Sequence, residues 1–496
     1  LFLQAGNLSL PDFLPELARL EWTINRVKKS KFTIPQELDY LMVNPTVEVL
    51  PLSWKHLTSI LHQRETIDVT IPQPGKELTI IWQHPETGEV ITHVASDEDL
   101  LVLKMVVEEI DLQEVANAGG LQVSAVMAAI DRAVCKGIIF APQSRIRRNP
   151  ALFSEGECAH DRFLSTSIFV LQWHVTHACD LHCKHCYDRS ERSSLELPQA
   201  LKVLDDYDAF CKSKYVKGQV SFSGGNPFLY QHFTELYKAA SAFGFNIAIL
   251  GNPVSRECIE ELMKIRQPVF FQVSLEGLRE HNNEIRGAGN FKKVIEFLGV
   301  LRELNISSSV MLTLTKENIH QVLPLAEELR ELVDSFTFNR LSMVGEGTNL
   351  ELPPRDEYIR FLEKYLEASE CNPIIGLKDN LINIIRHEKN MQLFGGCTGY
   401  GCGAAFNFVS LLPDGEVHAC RKFPSFIGNV LEQSITEIYD SNIAQKYRER
   451  SKMCQSCVIR FVCGGCLAIA YSHGLDIFEE RDPYCFVNST SKCTTL

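Results

Sequence analysis

The chain of 496 residues lacks any apolar run long enough to cross a membrane, and it lacks an excess of basic residues. We therefore expect no transmembrane helix. The formal net charge is −13, which is unfavourable for general nucleic-acid binding because that depends on neutralising phosphates. The first residues, LFLQAGNLSLPDFLPEL, contain neither a basic region nor a small-residue cleavage site, so we identify no signal peptide and expect a cytoplasmic protein.

Cysteine, in contrast, is abundant. Of 17 cysteines, three lie at 179–186 and eight lie between 397 and 485. Clustered cysteines in a long chain that is expected to be cytosolic indicate metal ligands. We interpret the six scattered cysteines as small, mostly buried hydrophobic residues. They are Cys135, Cys158, Cys211, Cys258, Cys371 and Cys493.

The amino-terminal part of the chain has two patterns. Residues 1–75 are predicted to be helical, with PDFLPELARLEWTINRVKK as the clearest amphipathic stretch. Residues 76–95 read as a hairpin around HPETGE. A helix, a short helix, a turn at Gly119-Gly120, a third helix and a short strand follow, so we predict a winged helix-turn-helix over 76–145. RIRRNP (145–150) reads as a polar linker.

From about residue 168, apolar strands alternate with helices. Six such units imply a parallel sheet with right-handed crossovers, and they are fewer than the eight of a closed barrel. The predicted fold class is therefore α/β, an open partial barrel over 165–345, followed by a helical connector over 346–394 and a cysteine-rich domain over 395–496. The strand candidates are IFVLQWHV (168–175), GQVSFSG (218–224), FNIAIL (245–250), PVFFQVSL (268–275), SSVMLTLT (308–315) and SFTFNRL (335–341).

The stretch ACDLHCKHCYD (178–188) places Cys179, Cys183 and Cys186 directly after the first strand, at the end where parallel sheets bind ligands. Each iron of a [4Fe–4S] cluster takes a thiolate, so three cysteines leave one iron open to a small molecule. By spacing alone, the alternative is a zinc site with three cysteines and one histidine. The candidate histidines are His177, His182 and His185.

These three cysteines resemble the cluster loop of the radical S-adenosylmethionine (SAM) superfamily, with His185 in the aromatic position before the last cysteine. The resemblance implies that SAM chelates the open iron through its amino and carboxylate groups. It also implies that reductive cleavage of SAM gives a 5′-deoxyadenosyl radical, which abstracts hydrogen from the substrate. An electron donor such as a flavodoxin or a ferredoxin is then required.

Polar residues at later strand ends resemble the SAM contacts of that superfamily. SFSGGNPFL (221–229) stands where the family has Gly-Gly-Glu-Pro, and its two glycines permit close approach of backbone to a ligand. Asn226 offers a carbonyl acceptor without a full negative charge. FNRLSMVGEG (338–347) resembles the strand that packs the adenine. The candidate SAM contacts are His185, Gly224, Gly225, Asn226, Asn252 in LGNP, Ser274 in SLEG and Arg286 in EIRGAGNF.

Two of these assignments have simple alternatives. The Gly-Asn segment is also compatible with a plain turn, and Arg286 with a surface salt bridge.

The tail resembles the SPASM domain, an extension that carries auxiliary clusters. Its hairpin candidate LLPDGEVHACR (411–421) ends in a cysteine, and two residues separate Cys463 from Cys466 where the family usually has three. The alternative is a zinc ribbon or treble clef. The resemblance implies one [4Fe–4S] cluster on Cys397, Cys402, Cys420 and Cys466, and another on Cys454, Cys457, Cys463 and Cys485.

The winged helix is a poor match to a DNA reader, because VSAVMAAIDRAV offers one arginine and no basic cluster. It resembles the precursor-recognition element of peptide-modification enzymes, which takes a leader peptide as an added strand. The alternative is a folded structural cap.

Together the resemblances imply a radical SAM/SPASM maturase of a ribosomally made peptide, of the selenobiotic or geopeptide type, with three [4Fe–4S] clusters. The product would be a thioether, a crosslink or an epimerised residue. The alternatives are a sulfatase-maturing type that oxidises Cys or Ser in a protein, a quinohemoprotein or pyrroloquinoline-quinone maturation type, and a non-catalytic, zinc-containing winged-helix regulator.

Overall fold

The computed structural model describes residues 11–32, 38–62, 71–150, 153 and 162–487. The chain divides into two compact units, Leu1–Gln143 and Ser144–Leu496. None of the helices in these described ranges is long and apolar enough to span a membrane.

The first unit contains a three-stranded antiparallel sheet in the order β2-β3-β4, and a second small sheet pairs β1 with β5. Its helices α3 to α5 follow the larger sheet in sequence. The elements are α1 (Leu14–Lys29), β1 (Met42–Val43), β2 (Glu48–Lys55), α2 (Leu57–His62), β3 (Gln73–Gln83), β4 (Val90–Val94), α3 (Asp97–Val107), α4 (Leu112–Gly119), α5 (Val123–Cys135) and β5 (Ile139–Phe140).

The prediction that residues 1–75 are helical is wrong for residues 48–55, which form β2. Leu50 and Leu52 are buried there, while Val49 and Pro51 are exposed, which is the period of two that a strand shows. This alternation is short, and pairing with the distant β3 stabilises it.

The hairpin expected at 76–95 is present as β3 and β4. Ser96 then caps α3 through a reciprocal capping box. Gly120, with a φ of 60°, ends α4 in the left-handed conformation that the Gly-Gly turn suggested. The order of elements over 76–140 is therefore the one that the sequence indicates.

The second unit is built on a nine-stranded sheet in the order β11-β10-β9-β8-β7-β6-β12-β13-β14. Its elements are β6 (Ile168–Thr176), α6 (Leu197–Lys214), β7 (Lys217–Gly224), α7 (Phe233–Ala242), β8 (Asn246–Leu250), α8 (Arg256–Ile265), β9 (Phe270–Ser274), α9 (Arg279–Arg286), α10 (Asn290–Glu303), β10 (Ser308–Leu314), α11 (Val322–Glu328), β11 (Ser335–Arg340), α12 (Arg355–Cys371), α13 (Ile382–Glu388), β12 (Phe408–Leu411), β13 (Glu416–His418), β14 (Phe426–Asn429), α14 (Ile435–Asp440), α15 (Asn442–Glu449) and α16 (Leu467–Ser472).

Strands β6 to β11 are parallel and adjacent in chain order, which confirms the predicted α/β fold with six central strands. The tail extends this sheet, because β12 pairs in parallel with β6 and continues antiparallel into β13 and β14. The predicted hairpin at 411–421 is the β12–β13 turn.

RIRRNP (145–150) is not the polar linker that its composition suggests. Ile146 is 1% exposed and Arg148 is 6% exposed, and both lie within the second unit. Arg148 is buried because it donates hydrogen bonds to backbone carbonyls of the tail, a contact over some 250 residues that no local pattern reveals.

The turn after β7 fixes the loop after β6. The N–H of Gly225 donates to the carbonyl of Thr176 over 2.8 Å, and the N–H of Asn226 donates to Ala178 over the same distance. A Cβ at Gly225 would lie 2.2 Å from the Ala178 oxygen. The glycines thus permit close approach to the cysteine loop, in addition to any approach to a ligand.

Arg340, at the end of β11, ties the parallel sheet to the tail. Its Nε donates to Asp379 over 2.8 Å and its Nη2 to Asp482 over 2.6 Å, and its side chain is 1% exposed. Asp482 also accepts the N–H of Cys466 over 2.9 Å. The two carboxylates compensate the buried guanidinium.

Asp482→Ala should destabilise the protein by about 3–5 kcal/mol, because it removes one partner of a buried ion group. Denaturant unfolding measures the loss. Glu303→Ala is the control, since Glu303 pairs with Arg256 on the surface and such pairs contribute about 0–1 kcal/mol. Equal effects of the two substitutions would contradict this account of Arg340.

Gly225→Ala should cost about 1–3 kcal/mol, because the added methyl meets backbone atoms that cannot move aside cheaply. Gly299→Ala is the matched control: Gly299 lies in α10 with nothing within 4 Å of an added Cβ, so this change should gain up to about 1 kcal/mol. Both values come from the same unfolding experiment. A Gly225→Ala protein as stable as the control would show that the loop has room to shift.

Candidate active site

The cysteine loop follows β6 and lines a cavity of about 850 Å³. Cys179, Cys183 and Cys186 all line this cavity. Burial raises the pKa of the Cys183 thiol, and the nearby charges of Glu276, Cys179 and Cys186 raise it further. Arg286 acts in the opposite direction and favours the thiolate of Cys183. The loop therefore gathers three potential thiolate ligands beside one cation.

Nitrogen donors face the sulfur of Cys179. The backbone N–H of Leu181 lies 3.4 Å from the Cys179 sulfur, and Nδ2 of Asn252 lies 3.6 Å from it. Donors of this kind stabilise a thiolate and are among the features that tune iron–sulfur sites. The surroundings of Cys179 thus suit a metal-bound sulfur.

Six of the seven candidate SAM contacts line this cavity, and Asn226 does not. The six are His185, Gly224, Gly225, Asn252, Ser274 and Arg286. Arg340, the last residue of β11, and Leu341 and Ser342, which follow it, line the cavity as well.

Asn226 is engaged within the protein. Its Nδ2 donates to Asp180 over 3.1 Å, and its Oδ1 accepts the N–H of Phe228 over 3.3 Å. Asn252 donates to the same oxygen of Asp180 over 2.7 Å. Sequence reasoning missed Asp180, and the signal that was available is its position directly after Cys179.

A buried ion group lies behind the loop. Oε1 of Glu276 lies 2.6 Å from Nη2 of Arg286 and 3.3 Å from Nε2 of His185, and Oε2 accepts the N–H of Thr313 over 2.7 Å. Burial acts to raise the pKa of Glu276, but His185, Arg286 and Thr313 outweigh it and lower the pKa. Glu276 is 1% exposed, so it stays ionised in the interior because its partners compensate the charge.

This geometry corrects the simple alternative for Arg286, because its side chain is 11% exposed and is not part of a surface pair. Sequence reasoning also missed Glu276, although it is part of SLEG at the end of β9. A carboxylate at a strand end, ten residues before an arginine that shares its site, was the available signal.

Four tail cysteines form a first auxiliary set around a second cavity of about 330 Å³. They are Cys397, Cys402, Cys420 and Cys466, and all four line it. Burial raises the pKa of Cys420 to about 12 and that of Cys466 to about 11, and the charge of Cys402 contributes to both. The cavity gives these thiols room for a cofactor larger than a single ion.

The other four form a second auxiliary set. They are Cys454, Cys457, Cys463 and Cys485. Burial raises the pKa of Cys454 to about 11, with Cys457 and Cys485 as the next causes. The same neighbours raise the pKa of Cys463. The assignment of the eight tail cysteines to two ligand sets, which the resemblance implies, stays a prediction.

Within the described ranges, no group of three or more His, Cys, Asp or Glu side chains is close enough to hold a single metal ion. Thiolates around a four-iron cluster stand farther apart than those around one zinc. The three candidate histidines have other partners: His177 contacts Ser190, His182 contacts Arg189, and His185 contacts Glu276. These contacts weigh against a zinc site that one of the three histidines would complete.

The scattered cysteines are less buried than their interpretation as hydrophobic residues implies. Cys211 is buried, whereas Cys135, Cys258 and Cys371 are exposed. Cys158 and Cys493 lie outside the described residues. An exposed cysteine within an amphipathic helix is indistinguishable from a buried one by residue type alone.

Comparison with known proteins identifies two domains. The model of the radical SAM superfamily matches residues 173–329, and the model of SPASM, an iron–sulfur cluster-binding domain, matches residues 402–458.

Two curated relatives are each 25% identical to this chain. The antilisterial bacteriocin subtilosin biosynthesis protein AlbA of Bacillus subtilis matches over 59% of this chain and 65% of its own length, just under two thirds of that relative. The AdoMet-dependent heme synthase of Methanosarcina barkeri matches over 65% of this chain and 97% of its own length.

Among solved structures, Streptococcus suis SuiB is similar in fold, with a TM-score of 0.54 and 18% identity over 83% of this chain and 96% of SuiB. SuiB has also been solved bound to the precursor peptide SuiA and bound to S-adenosylmethionine.

The radical SAM match contains the whole cysteine loop, and the SPASM match contains cysteines of both auxiliary sets. The chain accordingly contains a radical SAM domain and a SPASM domain, which are domains that bind SAM and [4Fe–4S] clusters.

Proposed function

We propose that this enzyme modifies a ribosomally made precursor peptide. In this proposal Cys179, Cys183 and Cys186 hold the cluster that binds SAM, and the two auxiliary sets hold one cluster each. Bound together, cluster and SAM supply a reductive cleavage whose radical product abstracts hydrogen from the peptide. A flavodoxin or a ferredoxin would provide the electron.

In that chemistry the role of the protein's own residues is to position SAM and to keep water out of the cavity. Arg286 donates to Glu276 through Nε and Nη2. Within the described residues nothing accepts from its Nη1, so this group can bind the carboxylate of SAM. Glu276 and His185 fix the guanidinium, and Ser274 and Asn252 offer polar groups across the cavity.

The observation that carries the assignment to peptides is the sheet edge in the first unit. β3 is paired on both sides, by β2 and by β4. The outer edge of β2 is contacted by α1, since Glu16 accepts the N–H of Ser53 and Arg19 donates to the carbonyl of Pro51. In the part of the chain that the structure describes, no strand pairs with the outer edge of β4, and we take this edge as the one that receives an added strand.

The N–H of Val94 points toward this edge. The N–H of the next residue, Ala95, donates back to the carbonyl of Leu78, and neighbouring residues of a strand alternate in direction. The side chain of Val94 is 45% exposed. An extended leader peptide can pair here through its backbone.

The β4 strand is held rigidly, which favours its use as a template. Nε2 of His93 lies 2.9 Å from Asp99, and Nζ of Lys136 lies 2.7 Å from the same carboxylate. Trp82 packs edge-on against His93. These contacts join β4 to α3 and to the end of α5, so the strand is ordered before a peptide binds, and binding costs less conformational entropy.

The similarity to SuiB supports the same assignment. It covers a larger share of this chain than the second unit contains, so it extends into the unit that carries β4. A sulfatase-maturing type that oxidises a Cys or Ser in a protein substrate has no need of a leader-binding element, which makes that alternative less suitable.

The protein should bind the labelled leader of a short precursor, to be sought among the neighbouring genes, and Val94→Pro should weaken that binding by roughly 3- to 10-fold. Proline removes one backbone donor, and one hydrogen bond contributes about 0.5–1.5 kcal/mol. Fluorescence anisotropy gives both dissociation constants. Val94→Ala keeps the donor and should bind as the wild type does. Absence of saturable binding, or equal loss in both variants, would remove the leader from the proposal.

Anaerobic reconstitution should give about twelve irons per chain and production of 5′-deoxyadenosine under reductant, as three four-iron clusters require. Cys183→Ala should retain about eight irons and make no 5′-deoxyadenosine. Cys258→Ala changes an exposed cysteine outside all three sets and should match the wild type. Zinc in place of iron, or full iron without cleavage of SAM, contradicts the proposed function.

A further inference from the structure

Two arginines are buried side by side among the tail cysteines. Arg148 is 6% exposed and Arg450 is 5% exposed. Each donates to the carbonyl of Tyr400 over 2.6 Å, and each donates to the carbonyl of Cys402, over 3.0 Å from Arg148 and 2.8 Å from Arg450. The two guanidinium groups therefore share the same pair of backbone acceptors.

Arg450 also joins the two auxiliary sets. Its Nη1 donates to the carbonyl of Cys463 over 3.1 Å, and the N–H of Cys402 donates to that same carbonyl over 2.9 Å. Cys402 belongs to the first set and Cys463 to the second. The guanidinium of Arg450 thus contacts the backbone of one predicted ligand from each set.

No carboxylate in the described part of the chain lies within ion-pair distance of Arg148 or Arg450, and the Nε of each has no hydrogen-bond partner. Two other buried arginines are compensated: Arg340 pairs with Asp379 and Asp482, and Arg286 pairs with Glu276. A buried cation without a counter-charge costs several kcal/mol. Two adjacent ones cost more, because they repel each other.

The negative groups that act on Arg450 are sulfurs. Burial lowers the pKa of Arg450, with Cys402, Cys463 and Cys454 opposing it. A guanidinium nevertheless remains protonated in proteins. The charge that compensates it must therefore come from thiolates and from what they bind.

We propose that Arg148 and Arg450 are the counter-charges of the two auxiliary iron–sulfur clusters and raise the reduction potentials of both. This inference depends on the proposed ligand sets. A [4Fe–4S] cluster on four thiolates is anionic, and one-electron reduction adds a further negative charge. Nearby fixed positive charge stabilises the reduced form more than the oxidised form. Since Arg450 contacts both sets, both potentials respond together.

The test is a redox titration of anaerobically reconstituted, full-length protein, followed by electron paramagnetic resonance, with iron counted first. Arg450→Gln and Arg148→Gln should each shift the midpoint potentials of both auxiliary clusters to more negative values, and leave that of the SAM-binding cluster unchanged. Arg450→Lys and Arg148→Lys keep the positive charge, so their midpoint potentials should lie close to those of the wild type. Arg256→Gln, on the exposed face of α8, is the control and should shift none.

A purely structural clamp gives a different result. If each arginine acts only through its hydrogen bonds to backbone carbonyls, lysine cannot replace it, and the Lys and Gln variants should lose stability alike. Every cluster that these variants retain should then keep its wild-type midpoint potential. That outcome overturns the proposal. A wild-type protein that never holds more than about four irons would instead overturn the auxiliary ligand sets, and with them the proposed function.

The iron-free protein supplies a second measurement in case the Gln variants fail to load iron. Without clusters, the paired guanidinium groups are uncompensated. Iron-free Arg148→Gln should therefore unfold at an equal or higher denaturant concentration than iron-free Arg148→Lys, because both variants lose the hydrogen bonds of the arginine and only lysine keeps the uncompensated charge. A lower midpoint for iron-free Arg148→Gln than for iron-free Arg148→Lys contradicts the counter-charge role, because it shows that the positive charge stabilises the fold without any cluster.

Discussion

A buried thiolate must be met by positive charge or by hydrogen-bond donors, and this constraint governs the second unit. Burial raises the pKa of Cys183, Cys397 and Cys454, which by itself would keep them protonated and unable to bind iron. Each has a nearby cation that acts in the opposite direction. Arg286 does so for Cys183, Lys378 and Lys422 for Cys397, and Arg450 for Cys454.

The same requirement explains why the tail is built onto the parallel sheet and is not a separate module. β12 pairs with β6, the strand that leads into the cysteine loop. Arg340, Arg421 and Lys422 line both the active-site cavity and the cavity of the first auxiliary set. The cations of one site therefore contribute to the electrostatics of the other, and the two cavities share a wall.

The first unit has a simpler physical basis. Within the described residues no strand pairs with the outer edge of β4, and the buried carboxylate of Asp99 holds this strand in place through His93 and Lys136. Lys136 and the other partners hold the pKa of Asp99 well below its usual range against the effect of burial. The carboxylate is thus a stable anchor at neutral pH.

The sequence by itself determined the features that depend on local patterns of neighbouring residues. These are the six apolar strands, the cysteine loop after the first of them, and the hairpins at 76–95 and 411–421. Strand β2 was missed because its alternation is brief. The exposed positions of Cys135, Cys258 and Cys371 were missed because residue type says little about burial.

Tertiary structure decided which distant groups meet. Cys463 and Cys466 are three residues apart, and Gly464 and Gly465, with φ of 80° and 63°, turn the chain between them, so that Cys466 lines the second cavity and Cys463 does not. Asp180 and Glu276 gain their roles from partners on other strands. Arg148 lies in a segment that reads as a linker, and only the long-range approach of the tail carbonyls gives its guanidinium the hydrogen bonds that make burial tolerable.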